Sequence, residues 1–357
     1  MQIGLSLSLT AQLRSSSAYA VSGYDPALVF DFKKSYYRKG GASTTFSSAI
    51  THSRASSATM VNSSGTLVTV GNNVPRTGHH IYNGSAWVNE GILHESEART
   101  NLLLNSGTLS TQSATVAATG NTLSFTGTGT VTLSGVSTVG PLVGTGTGEN
   151  NRVSLTFTPT AGTLTLTVSG TVTNAQLEAG STPSSYIPTA GASATRAAET
   201  LTVPAANLPY NSTNMSIQMD GKMTYADTGV GLEVQQYRWQ LTATNYISTN
   251  MQTVGGRTGQ PLFSQRQSTS GLDQVAGTIN VYNPDVNVPF NIAARHGSTF
   301  INGAHEGTLL TANTTPTALP DLSATDLELG NIFMGTIGQF RMWDEDLTDA
   351  GIVEAST

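Results

Sequence analysis

The 357-residue chain contains no cysteine. Disulfide staples, thiolate metal ligands and a cysteine nucleophile are therefore all excluded. Charge is scarce as well, with Asp, Glu, Lys and Arg making up 11% of the residues, where a quarter is usual for soluble domains. Lysine occurs only at 33, 34, 39 and 222. Lys33, Lys34, Arg38 and Lys39 thus form a single short basic cluster, which suits a solvated face or a protein-docking patch better than a phosphate grip. With a net charge of −6, the chain offers no basic face for nucleic acid. No stretch approaches the roughly 18 consecutive apolar residues that a membrane-spanning helix requires. Tryptophan is limited to Trp87, Trp239 and Trp343.

Glycine, with 37 residues, and abundant Thr and Ser favour strands and turns over helices. The clearest pattern lies between Asn101 and Pro188. Leu123 and Phe125, Val131 and Leu133, Val153 to Phe157, and Leu164 to Val168 all alternate with Thr or Ser. A period of two puts the apolar residues on one face of a strand and the hydroxyls on the other. Gly127-Thr-Gly129 and Pro159-Thr-Ala-Gly162 supply turns between the runs. The expectation is an antiparallel β-sandwich at 101–188, charged only at Glu149, Arg152 and Glu178.

On the N-terminal side, Ile3, Leu5, Leu7 and Leu9 alternate with small polar residues. An export signal competes with a strand here, because Ala18-Tyr19-Ala20 mimics a cleavage site. A basic leading region is missing, however, and polar residues interrupt the apolar run. Residues 1–23 therefore read as an anchoring arm that pairs with a partner chain, followed by a Ser-rich connector over Arg14–Gly23. Residues 24–100 read as an irregular β segment, with strands at Ala27–Phe32, Phe46–Ser53 and Thr66–Val70. Tight turns are expected at Asn62–Gly65 and Tyr82–Ser85. After a small-residue linker at 189–198, alternation resumes at Met215, Ile217 and Met219 and at Tyr237 and Trp239, then continues to Ile301. Ser298–Gly303 is expected to enter an Asn-Gly hairpin that returns over His305–Leu310. The last elements are a strand ending at Trp343 and a short helix over Leu347–Glu354, expected to cap a sheet edge.

Catalytic constellations are missing. No G-x-S-x-G elbow occurs, and Gly144-Thr-Gly-Thr-Gly148 lacks the Lys-Ser/Thr ending of a phosphate loop. His94-Glu95-Ser-Glu97 has no second histidine at helical spacing. His79 and His80, adjacent on a strand, should face opposite sides and so cannot jointly chelate a metal. No metal site or cofactor is expected. Sugar recognition relies on aromatic faces, so the candidate glycan contacts are Tyr237, Arg238, Trp239 and Trp87. Tyr237 and Trp239 equally suit a core pair, and Trp343 a core residue.

Two long strings, Glu95–Ser106 (ESEARTNLLLNS) and Asn174–Gly191 (NAQLEAGSTPSSYIPTAG), carry a resemblance. They are similar to the brackets around a β-sandwich module of virion appendage proteins, the head-spike and tail fibres of tailed bacterial viruses and gene-transfer particles. Ser53–Gly65 (SRASSATMVNSSG) and Asn73–Arg76 (NVPR) resemble the segment preceding that module. The final strand, Met334–Trp343, followed by Asp-Glu-Asp-Leu, resembles the end of a concanavalin-A-like (laminin-G type) jelly roll. In that superfamily, laminarinase-like members place their catalytic carboxylates in an E-x-D-x-x-E string, which this chain lacks. The resemblance implies tandem antiparallel β-sandwiches in a virion surface protein, with 199–357 as the concanavalin-A-like domain. It further implies a homotrimer binding host-surface polysaccharide or a receptor, for which the alternating arm is the expected attachment to other virion proteins. A purely structural capsid or tail decoration is the alternative. If the arm is the anchor, recognition is expected in the distal domain, 199–357.

Overall fold

A computed structural model describes residues 17–227, 233–269 and 271–357. The chain is almost entirely β, with 51% strand and 6% helix, as its strand-type alternation requires. The expected arm over the first sixteen residues lies outside the described residues.

Two large antiparallel sheets form the main body. Among the described residues, one sheet has ten strands and is built around Met334–Trp343. One flank of that strand pairs with Asn214–Tyr225. Its other flank is shared: Met334–Ile337 pair with Ile92–Glu95, and Gln339–Met342 with Leu28–Asp31. The facing seven-stranded sheet runs from Leu272–Ala276 through Val234–Thr242 and Leu327–Asn331 to Thr200–Val203 and Thr51–Ser53. Alternate residues meet between the sheets: Phe30, Met219 and Phe340 from the first, Tyr237, Trp239 and Phe263 from the second. The sheets approach closely at Gly303, where a Cβ would fall 2.2 Å from the Phe263 ring.

Residues 24–100, read from sequence as a separate segment, instead supply strands to both large sheets. The C-terminal sandwich is incomplete without them. Within this segment Phe46–Ala49 is a short helix rather than a strand, because Thr45 caps it with its hydroxyl on the Ser48 amide. The Asn302-Gly303 pair sits inside a strand, Ile301–His305; the reversal comes at Glu306 and Gly307, both at positive φ.

The smaller sandwich forms over 101–188 between those N-terminal strands and the C-terminal ones. A four-stranded sheet containing Thr130–Gly135 and Gly162–Ser169 faces a three-stranded sheet of Val153–Phe157, Asn121–Gly127 and Val172–Ala179. Leu123, Phe125, Val131, Leu133, Leu164 and Leu166 fill its core. The expected linker is partly ordered as a strand, since Ala194–Arg196 pair with Arg99–Asn101. Entry and exit of the smaller sandwich are thus zipped together.

Residues 17–25 are likewise no free connector. Ser22 donates from its amide and hydroxyl to Glu354, and Arg341 donates to the Tyr19 carbonyl. The helix Thr348–Ala355 lies on the outer face of the ten-stranded sheet, covering Ala293, Ala304 and Trp343 along with Val21.

Candidate ligand-binding site

A cleft of about 450 Å³ opens where the smaller sandwich meets the main body. One wall is the hairpin of Arg76–Tyr82 and Trp87–Glu95. Its turn is set by Asn83, whose side-chain oxygen accepts from the amides of Ser85 and Ala86, with Gly84 at φ +97°. This turn makes Tyr82 and Trp87 cross-strand partners, and their rings lie 5.3 Å apart at 52°. The indole rests on Gly65, where a Cβ would come within 2.3 Å of it. Glycine there is thus a steric requirement for the position of Trp87. Tyr82 remains 37% exposed, so the pair presents aromatic surface to solvent.

Both His79 and His80 line the cleft. Two bulges at Thr77–His80 break the alternation that would have put them on opposite faces. His79 Nδ1 accepts from the Val61 amide, and His80 Nδ1 donates to the Gly78 carbonyl. Burial first, then the nearby Arg76, pulls His79 down to about 4, so it is neutral at pH 7.

The opposite wall comes from the smaller sandwich. It carries Ser124, Glu149, Asn150, Arg152 and Ser154. Arg152 donates to the Ser184 carbonyl and the Ser124 hydroxyl, both at 2.8 Å. The loop Pro183–Tyr186 forms the floor. It is held from one side by Glu178, which accepts from the Ser184 amide and hydroxyl. From the other side Glu95 accepts from the Ser185 amide and hydroxyl.

Behind the floor lies a buried ionic network that joins Arg54, Arg76 and Glu95 of the resemblance strings to Arg196 and Glu199. Arg76 donates to Glu95 at 2.7 Å and to both oxygens of Glu199 at 3.0 and 2.6 Å. Arg54 reaches Glu199 at 2.5 Å. Arg196 Nε lies 3.0 Å from Glu95 without an aligned hydrogen bond. Burial alone would raise the Glu95 carboxyl, but Arg196 and Arg76 outweigh it and hold the group at about 2. Glu199 is held well below the usual carboxylate range: its burial is overcome by His52 and Arg76. Each charge of this network has a counter-charge, the condition under which such burial is tolerated.

The sequence candidates fare unequally. Trp87 lines the cleft. Tyr237 and Trp239 are 1% and 0% exposed and belong to the core between the large sheets. Trp239 donates to the Thr325 carbonyl at 2.7 Å, and Tyr237 packs edge-on against Phe340. A glycan cannot reach either ring. Arg238, on the outer face, lies 4.0 Å from Glu328 and is not part of the cleft lining. Trp343 is buried, but on the outer sheet face beneath the helix, with its Nε1 on the Tyr24 carbonyl. Sequence reasoning missed Tyr82, His80, Glu149 and Arg152 as cleft residues. A signal existed for most of them. Tyr82 and Trp87 bracket the Asn-Gly turn, and Glu149 and Arg152 are two of only three charges in the smaller sandwich.

No protein-family model and no curated protein matches the sequence. Among solved structures, the chain is similar to a leech intramolecular trans-sialidase complexed with 2,7-anhydro-Neu5Ac. That likeness has 14% identity and a TM-score of 0.33, and covers 41% of this chain and 23% of the other. The binding domain of botulinum neurotoxin DC in complex with rat synaptotagmin II is similar at 13% identity and a TM-score of 0.35, covering 44% of this chain and 39% of that one. For the Ruminococcus gnavus IT-sialidase CBM40 bound to α2,3 sialyllactose the figures are 12% identity, a TM-score of 0.32, and coverage of 41% and 83%. The chain thus spans well under half the length of the first two.

Proposed function

We propose that the chain is a non-catalytic, glycan-binding surface appendage of a virion, carried on its head or tail. The observation that supports glycan binding is the cleft wall itself. It presents the Tyr82–Trp87 pair opposite a rim of hydroxyl, amide and guanidinium groups, in a volume within the range of small-molecule sites. Aromatic faces take up the C–H surface of a sugar ring, and planar polar groups take up its hydroxyls. The virion assignment and assembly as a homotrimer rest on the bracketing strings; attachment to other virion proteins through the N-terminal arm rests on the alternation of Ile3, Leu5, Leu7 and Leu9. Recognition then falls in the cleft between the two sandwiches, where Trp87 sits, and not on the Tyr237–Trp239 strand.

The acids available in the cleft support a role without glycoside hydrolysis. Glycoside hydrolysis needs a carboxylic acid that is protonated near neutral pH opposite a second carboxylate. The acids lining the cleft among the described residues are Glu95 and Glu149. Glu95, held at about 2 behind the floor, cannot serve as that acid.

The competing reading, a structural decoration without receptor binding, is separated by Trp87→Ala. Adsorption of the purified protein to host cells, and binding on a glycan array, should fall at least tenfold while particle assembly is unchanged. Unaltered adsorption would remove the cleft from recognition.

A further inference from the structure

The cleft has a charge feature that neutral sugar binding leaves unexplained. Arg152 is the one lysine or arginine side chain among the described residues that line it. The deeper Arg54, Arg76 and Arg196 are all paired with Glu95 or Glu199. Arg152 makes hydrogen bonds only to two uncharged oxygens, on Ser184 and Ser124. Its Nε is shielded from solvent and has no partner. Glu149, three residues away on the same wall, takes its hydrogen bond from Asn174 at 3.4 Å and does not pair with Arg152.

A guanidinium withdrawn partly from water, with no counter-charge and an orphaned N–H, is a costly arrangement. A carboxylate in the cleft supplies the missing counter-charge through the two Nη groups, each of which spends only one of its N–H donors within the chain. Arg152 is also held in place: Ser184 is fixed by Glu178, and Ser124 sits on a strand of the smaller sandwich. With His79 neutral at pH 7, Arg152 is the permanent positive charge in the wall.

We infer that the cleft binds an acidic saccharide, with a sugar carboxylate on Arg152 and an apolar ring face against Tyr82 and Trp87. The inference rests on the glycan-binding reading above and adds the ligand class. Glu149 and Asn150 are then placed to meet ring hydroxyls, and a second sugar carboxylate near Glu149 would be repelled. Acids whose neighbouring carboxylates point away from Glu149 should therefore bind best.

The test pairs oligogalacturonate, oligoglucuronate and oligomannuronate with their methyl esters, which remove the charge and keep the ring. Binding of the full chain is measured by calorimetry, together with a panel of neutral hexose and sulfated oligosaccharides. At least one acid should bind tenfold or more tighter than its ester. Arg152→Gln should abolish that preference, and Arg152→Lys, which keeps the charge, should retain part of it. Melting temperatures of both variants are compared with the parent, so that a folding defect is recognised; if Arg152→Gln does not fold, the Lys variant and the acid–ester ratio of the parent decide. Equal binding of acid and ester, or binding confined to neutral or sulfated members, overturns the ligand class and leaves glycan binding standing. Binding of no member overturns both.

Discussion

Two tryptophans show how position decides what an aromatic side chain does. Trp239 is sealed between the large sheets, edge-on to Tyr210 at 5.8 Å with its indole N–H on Thr325. Truncating it opens a large cavity and orphans the Thr325 carbonyl, so Trp239→Ala should cost about 3–5 kcal/mol. Denaturant unfolding of the variant beside the parent measures this; a loss below about 1 kcal/mol would contradict the packing described. Trp87, by contrast, leans on Gly65 and Tyr82 at the cleft, and its removal should show in binding before stability. From sequence alone both sit on strands beside polar residues. Alternation named Tyr237 and Trp239 as sharing a face, but it could not say which face looks inward, because the ten-stranded sheet they face includes Leu28–Asp31 and Met334–Trp343, remote in the chain. Arg54, Arg76 and Glu95 lie in the strings that carry the resemblance. Their convergence with Glu199 was not legible there, since it joins positions up to 145 residues apart.

At the scale of elements, the seam between the two sandwiches is electrostatic as much as apolar, and this gives it a pH signature. Glu95 is held at about 2 against an ordinary 4.5. A carboxylate with a depressed folded value contributes stability that is complete above 4.5 and is lost as pH falls toward 2. Glu199 acts in the same direction. His79 is lowered from 6.5 to about 4; the fold favours its neutral form, so its contribution is complete above 6.5 and is lost as pH falls toward 4. His296, at about 3 through burial, adds to that loss. Stability should thus fall in two stages, first below pH 6.5 and again below 4.5. Between pH 7.5 and 5.0, His79→Gln should lose less stability than the parent, by no more than about 2 kcal/mol once partial exposure is allowed for. Parallel urea curves at the two pH values decide it, and identical losses would contradict the burial of His79. The elements themselves were legible where the period was strict, as from Leu123 to Val168. They were misread where a local cap or turn overrode the pattern, at Thr45–Ala49 and at Glu306–Gly307. The unity of 24–100 with the C-terminal strands was invisible, because strand pairing across the whole smaller sandwich leaves no local trace.

For the whole molecule, one strand relates the proposed anchor to the proposed site. Met334 and Gly335, at one end of Met334–Trp343, line the cleft. At the other end Arg341 holds the Tyr19 carbonyl and Trp343 the Tyr24 carbonyl. Ten residues at about 3.3 Å each separate these ends by roughly 30 Å. The described chain therefore begins near one pole of the body, with the cleft toward the other, as attachment by the arm and recognition by the cleft would demand. This geometry also moves the boundary of the anchor. Val21 is buried under the C-terminal helix, and Ser22 is tied to Glu354, so residues 17–25 belong to the body. Deleting residues 1–16 removes none of the contacts described for 17–25, so the melting temperature should stay within about 2 °C of the parent, and incorporation into particles should be abolished. Deleting 1–23 should lower the melting temperature further, because it removes Val21 from over Trp343, takes Ser22 from Glu354 and costs Arg341 its bond to the Tyr19 carbonyl. Normal incorporation of the shorter deletion would show that attachment lies elsewhere. Equal melting of the two deletions would show that residues 17–23 hold nothing in place.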